Sequence, residues 1–322
     1  MSSSLTLLDV DRISITLLID NYTDRLLPSS QIAKRTPLVK NEKILPAPIA
    51  EHGFSAIVEV WRSGDSWRFL FDTGTSKDGM LENAALFGVD LEKVDAIILS
   101  HGHFDHFTGL KRALARIGKP TRLLAHPDAF LRRWLIFPDG GRAMMPFIDE
   151  NALKIQGALV EKSEGPIAIP SPDNPCLLIT GEIPRLAPYE IGFPLQYAET
   201  KEGGLVHDPL VRDDQALVAN LKGKGLVVLS GCGHAGIINT IHHAKKLAGI
   251  DKVHAVVGGF HLSGLMYERA IEPTMEALGE LDPRYIVPCH CTGWQAANRI
   301  VQLFPDRFIQ PSVGTTLDFY TD

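Results

Sequence analysis

Cysteine is scarce. Four residues in 322, Cys176, Cys232, Cys289 and Cys291, are too few for a disulfide-stapled scaffold, and all four are expected as thiols. Positive charge is also short. The 32 Lys and Arg are outnumbered by 38 Asp and Glu, a net of −6, which argues against a surface built to neutralise phosphate backbones, so nucleic acid is not an expected partner. No apolar run approaches the ~18 residues that a bilayer span requires. Met1 to Leu8 carries neither a basic segment nor an apolar run long enough for an export leader. The expected location is therefore the cytoplasm, away from membranes. What the chain does have is 45% hydrophobic residues with 28 Gly and 21 Pro, which suits a turn-rich globular fold and excludes disorder, collagen and coiled coil.

The first third reads as strands. Ile13, Ile15 and Leu17 alternate with Ser14 and Thr16, while Ala56 to Trp61 and Trp67 to Phe71 flank Ser63-Gly64-Asp65 as a hairpin. Asp72-Thr73-Gly74 ends the second arm, and a short helix is expected over 79–87. From residue 94 a different rhythm repeats four times, in which a β-branched or Leu-rich run ends in a polar cluster and a helical pattern follows. The runs 94–100, 226–230, 253–257 and 285–288 end at His101, His234, His261 and His290. Their helices are expected over 108–117, 235–247, 267–281 and 295–304. Buried strands followed by helices imply helix-covered sheets, whose ligands gather at the C-terminal strand ends. One histidine at such an end is ordinarily structural, but four in parallel positions point to convergence on one site.

Between 127 and 205 the periodicity fails. Ten prolines interleave with Trp134, Phe137, Met144, Met145, Phe147 and Phe193, a composition too apolar for a solvated linker. A packed cover or lid inserted into a single domain spanning 1–322 is expected. His242 and His243 fall in mid-helix and read as surface or packing residues. Lys222-Gly223-Lys224-Gly225 reads as a hairpin turn rather than a phosphate loop.

The strongest chemical signal is His101-Gly102-His103-Phe104-Asp105-His106, three imidazoles and a carboxylate entered from a buried strand. These donors suit zinc, and also iron or manganese. His101 and His103, alternate residues at a strand end, share one side and fit one ion. Asp105 and His106 fit a second. Gly102 and Gly109 ease the backbone through such crowding. A catalytic site needs more ligands than one hexapeptide supplies, and His234, His261 and His290 are candidates by position. Cys289-His290-Cys291 lacks the spacing of a separate structural zinc site.

The hexapeptide, following Asp72-Thr73-Gly74 at the end of an early hairpin, resembles the metallo-β-lactamase superfamily. That resemblance implies an α/β fold, an αββα sandwich of two mixed sheets with helices on the outer faces and a metal site at one edge. Glu51-His52-Gly53-Phe54-Ser55, Ser230-Gly231-Cys232-Gly233-His234-Ala235-Gly236, Gly258-Gly259-Phe260-His261-Leu262 and Pro288-Cys289-His290 are similar to the subgroup labelled 7,8-dihydropterin-6-methyl-4-(β-D-ribofuranosyl)aminobenzene-5′-phosphate synthase, associated with pterin metabolism. By the resemblance, His234 joins His101 and His103, and His290 joins Asp105 and His106. His261 is a lower-ranked ligand or a substrate-binding donor, Asp72 orients a ligand through hydrogen bonds, and His52 faces the ligand. The superfamily's Gly-His-Thr-Pro-Gly is absent, as is a Gly-Asp pair at the position of the bridging carboxylate. Cys232 stands near the expected bridging Asp, and Asp214 is another candidate for that carboxylate.

These residues lead to the expectation of a metal-dependent hydrolase of a small-molecule ester, lactone or phosphoester, with Asp105 orienting water or accepting its proton. A pterin-related synthase using metal as a Lewis acid and a non-catalytic metal-binding module are the alternatives. Neither metal count nor oligomeric state is legible in the sequence.

Overall fold

The structure, a computed structural model, describes residues 7–321. Residues 1–6 of the Met1 to Leu8 segment lie outside the described residues. Two mixed sheets pack face to face. The first has eight strands and is built outward from the hairpin Ser55–Arg62 and Asp65–Phe71. Arg12–Ile19 pairs antiparallel on one side, aligning Ile15 with Val58. On the other side, Ala96–Ile98, Thr121–Ala125 and Ala158–Lys162 continue it in parallel. The second sheet has seven strands. Ala216–Leu221 and Gly225–Ser230 form its hairpin across the Lys222 to Lys224 turn, and Val253–Gly259 and Tyr285–Cys289 extend it in parallel.

Side-chain alternation explains the layering. Ile13, Ile15 and Leu17 point inward with Val58, Phe69, Phe71 and Ile98, and they meet Leu217, Val227, Leu229, Val257 and Val287 of the opposite sheet in one core. The other face of the first sheet, with Leu18, Ile57, Leu70 and Ile97, packs on helices Gly79–Phe87 and Leu110–Ile117. The outer face of the second packs Val256 and Ile286 on helices Ile237–Ala248, Glu268–Leu281 and Trp294–Leu303. All five helices begin and end within three residues of the spans that the sequence pattern gives. No helix among the described residues is long and apolar enough to cross a membrane.

The segment 127–205 differs from the expected insertion. Within it, Arg133–Ile136, Arg142–Met144, Gln196–Glu199 and Leu205–His207 make a separate four-stranded sheet. The remainder belongs to the sandwich. Ala158–Lys162 edges the first sheet, while Ile167–Ser171 and Asn174–Ile179 belong to the second. Prolines hid these strands. Pro170 and Pro175 face each other where the register of the Ile167–Ser171 pairing shifts, near the sheet edge where a missing N–H is tolerated.

Candidate metal centre

The four histidine-bearing strand ends lie at one end of the sandwich. Ala96–Ile98 from the first sheet delivers the 101–106 loop. Gly225–Ser230, Val253–Gly259 and Tyr285–Cys289 from the second deliver Cys232 and His234, then His261, then His290. Gly102 is obligatory in this loop, because a Cβ there would lie 2.1 Å from the Ala129 carbonyl oxygen. Its N–H donates to Asp213 Oδ2 at 2.7 Å, and Asp213 is held in turn by the buried Arg133. Gly231 is equally constrained, since a side chain would meet Ser100 Oγ at 2.2 Å.

The buried donors form two adjoining groups. In one, the rings of His101, His103 and His234 lie 4.5–4.9 Å apart. His103 Nε2 donates to Gln196 Oε1 at 2.5 Å, which leaves Nδ1 as a lone pair 3.0 Å from His234 Nε2. In the other, Asp105 Oδ2 lies 3.6 Å from His106 Nε2 and 3.3 Å from His290 Nε2. Cys232 Sγ is 3.3 Å from the same His290 nitrogen. His106 donates through Nδ1 to Asp72 Oδ2 at 2.7 Å, and His290 through Nδ1 to Asn21 Oδ1 at 3.0 Å. These acceptors anchor the outward ring nitrogens, so both Nε2 atoms are turned toward the carboxylate. Cys232 adjoins both groups, with donor atoms within 4.8 Å of one another in each of Asp105–His106–Cys232–His290 and His101–Cys232–His234.

The chemistry of this donor set fits a divalent cation. His101 Nε2, His106 Nε2 and His234 Nδ1 are buried with no hydrogen-bond partner, an arrangement that is costly unless something else satisfies them. Burial first, and then neighbouring cationic groups, hold His101 and His234 well below the ordinary imidazole range, and His103 is lowered to about 4. These three rings are neutral and ligand-ready at pH 7. Burial opposes charge on His106 too, yet Asp105 and Asp72 outweigh it and push that ring up to about 9. Asp105 is held well below the usual carboxylate range, its burial being overcome by His106 and His290. The carboxylates therefore call for positive charge at this spot. Burial and neighbouring Cys291 push the Cys232 thiol up, so its conversion to thiolate also requires a nearby cation.

The outlying candidates take distinct places. The His261 ring lies 4.0 Å from His234, tilted by 51°, and engages the Tyr267 hydroxyl through Nε2 at 2.9 Å. His52 is 68% exposed, with Nε2 3.8 Å from Asp105 Oδ2, and forms the solvent edge of the cluster. Asp214 sits behind His101 rather than between the two groups: Oδ2 accepts from the Ala235 N–H at 2.7 Å and Oδ1 is 4.0 Å from His101 Nδ1. Burial pushes Asp214 up to about 7. Asp72, His261 and His290 all adopt left-handed backbone, with φ of 55°, 49° and 47°, strain that concentrates where side chains are aimed for a purpose. Sequence reading missed Asn21 and Gln196, lone amides in loops and short strands that carry no spacing signal. The four cysteines are free and buried.

The fold and this donor cluster define a class. Residues 52–290 match the metallo-beta-lactamase superfamily, and the chain belongs to it. Among curated relatives, it is 33% identical over 274 residues to a Methanocaldococcus jannaschii protein named 7,8-dihydropterin-6-methyl-4-(beta-D-ribofuranosyl)-aminobenzene-5′-phosphate synthase, covering 84% of this chain and 90% of that one. A second protein of that organism, uncharacterized, is 34% identical over 267 residues, covering 82% and 92%. A crystal structure described as a metal-dependent hydrolase of the beta-lactamase superfamily superposes with a TM-score of 0.72 at 26% identity, covering 96% of this chain and all of the other.

Proposed function

We propose that the protein is a metal-dependent hydrolase of a small-molecule ester, lactone or phosphoester. The observation that carries this reading is the set of buried, unpartnered imidazole nitrogens packed around Asp105 and Cys232. His101, His103 and His234 would hold one cation, and Asp105, His106 and His290 a second, with Cys232 placed against both. Zinc suits the donors best, and iron or manganese also fit. A divalent cation supplies, when bound, Lewis acidity toward a carbonyl or phosphoryl oxygen and a lowered pKa for water.

The chain's own residues do the rest. Asp105 Oδ2, which faces both His290 and the exposed His52, orients the attacking water or accepts its proton. His52 links that carboxylate to solvent. Asp72, Asn21 and Gln196 hold His106, His290 and His103 by their outward nitrogens. The rings then need no reorganisation during the reaction.

The name of the 33% identical relative supports a second reading, a synthase joining a pterin to an aminobenzene riboside phosphate. One sample separates the two. Protein purified without added metal is analysed for metal and screened against esters, lactones and phosphodiesters. The hydrolase reading expects bound metal and turnover of at least one class, with His103→Ala reducing turnover by about a hundredfold or more. Full activity and wild-type metal content in that variant would overturn it. A metal-loaded protein silent toward every class favours the synthase.

A further inference from the structure

The proposed reaction leaves two side chains beside the donor cluster unused, Cys291 and His261. Cys289 packs into the core between the sheets, but the buried Cys291 thiol turns to the cluster and donates to the Cys232 carbonyl at 2.9 Å. The hydroxyl of Tyr267 settles how His261 bonds. The Gly192 carbonyl can only accept, so the hydroxyl donates there at 3.1 Å and accepts from His261 Nε2 at 2.9 Å. The neutral ring then presents Nδ1 as a lone pair, and that nitrogen is buried with no hydrogen-bond partner. A ring nitrogen of His261 and the sulfurs of Cys232 and Cys291 all lie within 4.8 Å of one another.

The backbone holds these three donors in place. The N–H of Gly259 donates to the Gly231 carbonyl at 3.0 Å, that of Phe260 to Thr292 Oγ1 at 3.0 Å and that of Leu262 to the Cys291 carbonyl at 3.2 Å, so three strand ends are laced together. Gly259 permits the close approach, since a Cβ there would lie 2.7 Å from Cys291 Sγ. One imidazole and two sulfurs make a softer set than the His and Asp groups beside it, and two Cys with one His around an open fourth position is a known zinc arrangement. We propose that Cys232, His261 and Cys291 form a third, sulfur-rich site for a thiophilic divalent cation of the zinc type. Each thiol gives its proton to solvent as it ligates. Cys232 belongs to all three donor groups, so Cys291 and His261 are the residues that distinguish this site. It does not depend on which reaction the adjoining groups perform.

Cadmium serves as the probe, because its bonds to thiolate absorb strongly in the ultraviolet whereas those to imidazole and carboxylate do not. The full chain, stripped with a chelator and kept reduced with a phosphine, is titrated with cadmium, and bound cadmium is counted after gel filtration. Wild type is expected to show the absorption of two thiolates. Cys291→Ala should lose one thiolate's share of that band together with one equivalent of cadmium. His261→Ala, made at a half-buried ring and leaving both sulfurs in place, should weaken the sulfur-bound equivalent about tenfold or more, and it decides the matter if Cys291→Ala fails to fold. Cys176→Ala, at a thiol outside the cluster, should leave the band unchanged. The inference is overturned if Cys291→Ala keeps the full band and cadmium count, if His261→Ala binds as tightly as wild type, or if the band falls equally in Cys176→Ala. Failure of the hydrolase reading appears separately, as turnover indifferent to His103→Ala, which this titration does not read.

Discussion

Asp72 concentrates the logic of the candidate site in one side chain. It is fully buried, and its oxygens accept from the Ser100 N–H at 2.7 Å, the Ser100 hydroxyl at 2.6 Å and His106 Nδ1 at 2.7 Å. It therefore fixes both the entry to the 101–106 loop and the ring that faces Asp105. Asp72→Ala should weaken metal binding by about 10- to 100-fold, measured by competition with a chromogenic chelator; unchanged affinity would refute the role. At this scale the sequence was informative wherever residues sit close together in a pattern. His101 to His106 stand out because three imidazoles in six positions is a rare density. Asn21 and Gln196 were invisible, since a single amide looks the same whether it faces solvent or holds a ring. The position of Cys232 against both donor groups was legible only as a departure from the superfamily's carboxylate.

Among the elements, the rhythm of strand, polar cluster and helix translated directly into structure. Each apolar run is short and bounded by glycine or a charged turn, and each following helix has one apolar stripe, so both periods are unambiguous. The cover was less legible because its strands are short and interrupted by proline. It is nevertheless tied down at a specific point. Glu190, from the cover segment, accepts from the N–H groups of Ile238 and Asn239 at 2.8 and 2.9 Å. It thereby caps the helix Ile237–Ala248, whose own preceding residue is Gly236 with φ 90°. Burial pushes Glu190 up to about 7, above its unfolded value of about 4.5, so the folded state holds this proton more tightly and the residue's contribution to stability, fully present below about pH 4.5, declines as the pH rises toward 7. Glu190→Ala should cost about 1 kcal/mol in urea unfolding at pH 5 and less at pH 8. The variant's 184–195 segment should also become more open to proteolysis; an unchanged midpoint and cleavage pattern would count against the link.

The sandwich as a whole separates two charge environments. One end gathers imidazoles and carboxylates, while the other carries Lys224, Lys252, Arg284 and Arg307 around His254. Burial and then the nearby Lys224, Lys252 and Arg284 lower His254 to about 4, against an unfolded value of about 6.5. The folded state thus binds fewer protons than the unfolded state between those values. Its stability is fully present above about pH 6.5 and declines as the pH falls toward 4. His254→Phe should flatten that decline, because phenylalanine keeps the ring contacts with Tyr285 and Phe319 and cannot take up a proton. Melting temperatures from pH 7 to 4 test this, and parallel curves for the two proteins would exclude it.

Because the donors come from both layers, with the 101–106 loop on the first sheet and His234 and His290 on the second, neither half of the chain carries the full set alone. During synthesis the hexapeptide leaves the ribosome long before residue 290 has been made. A cation captured at that stage would have an incomplete shell, and only docking of the last parallel strand would bring His290 to it.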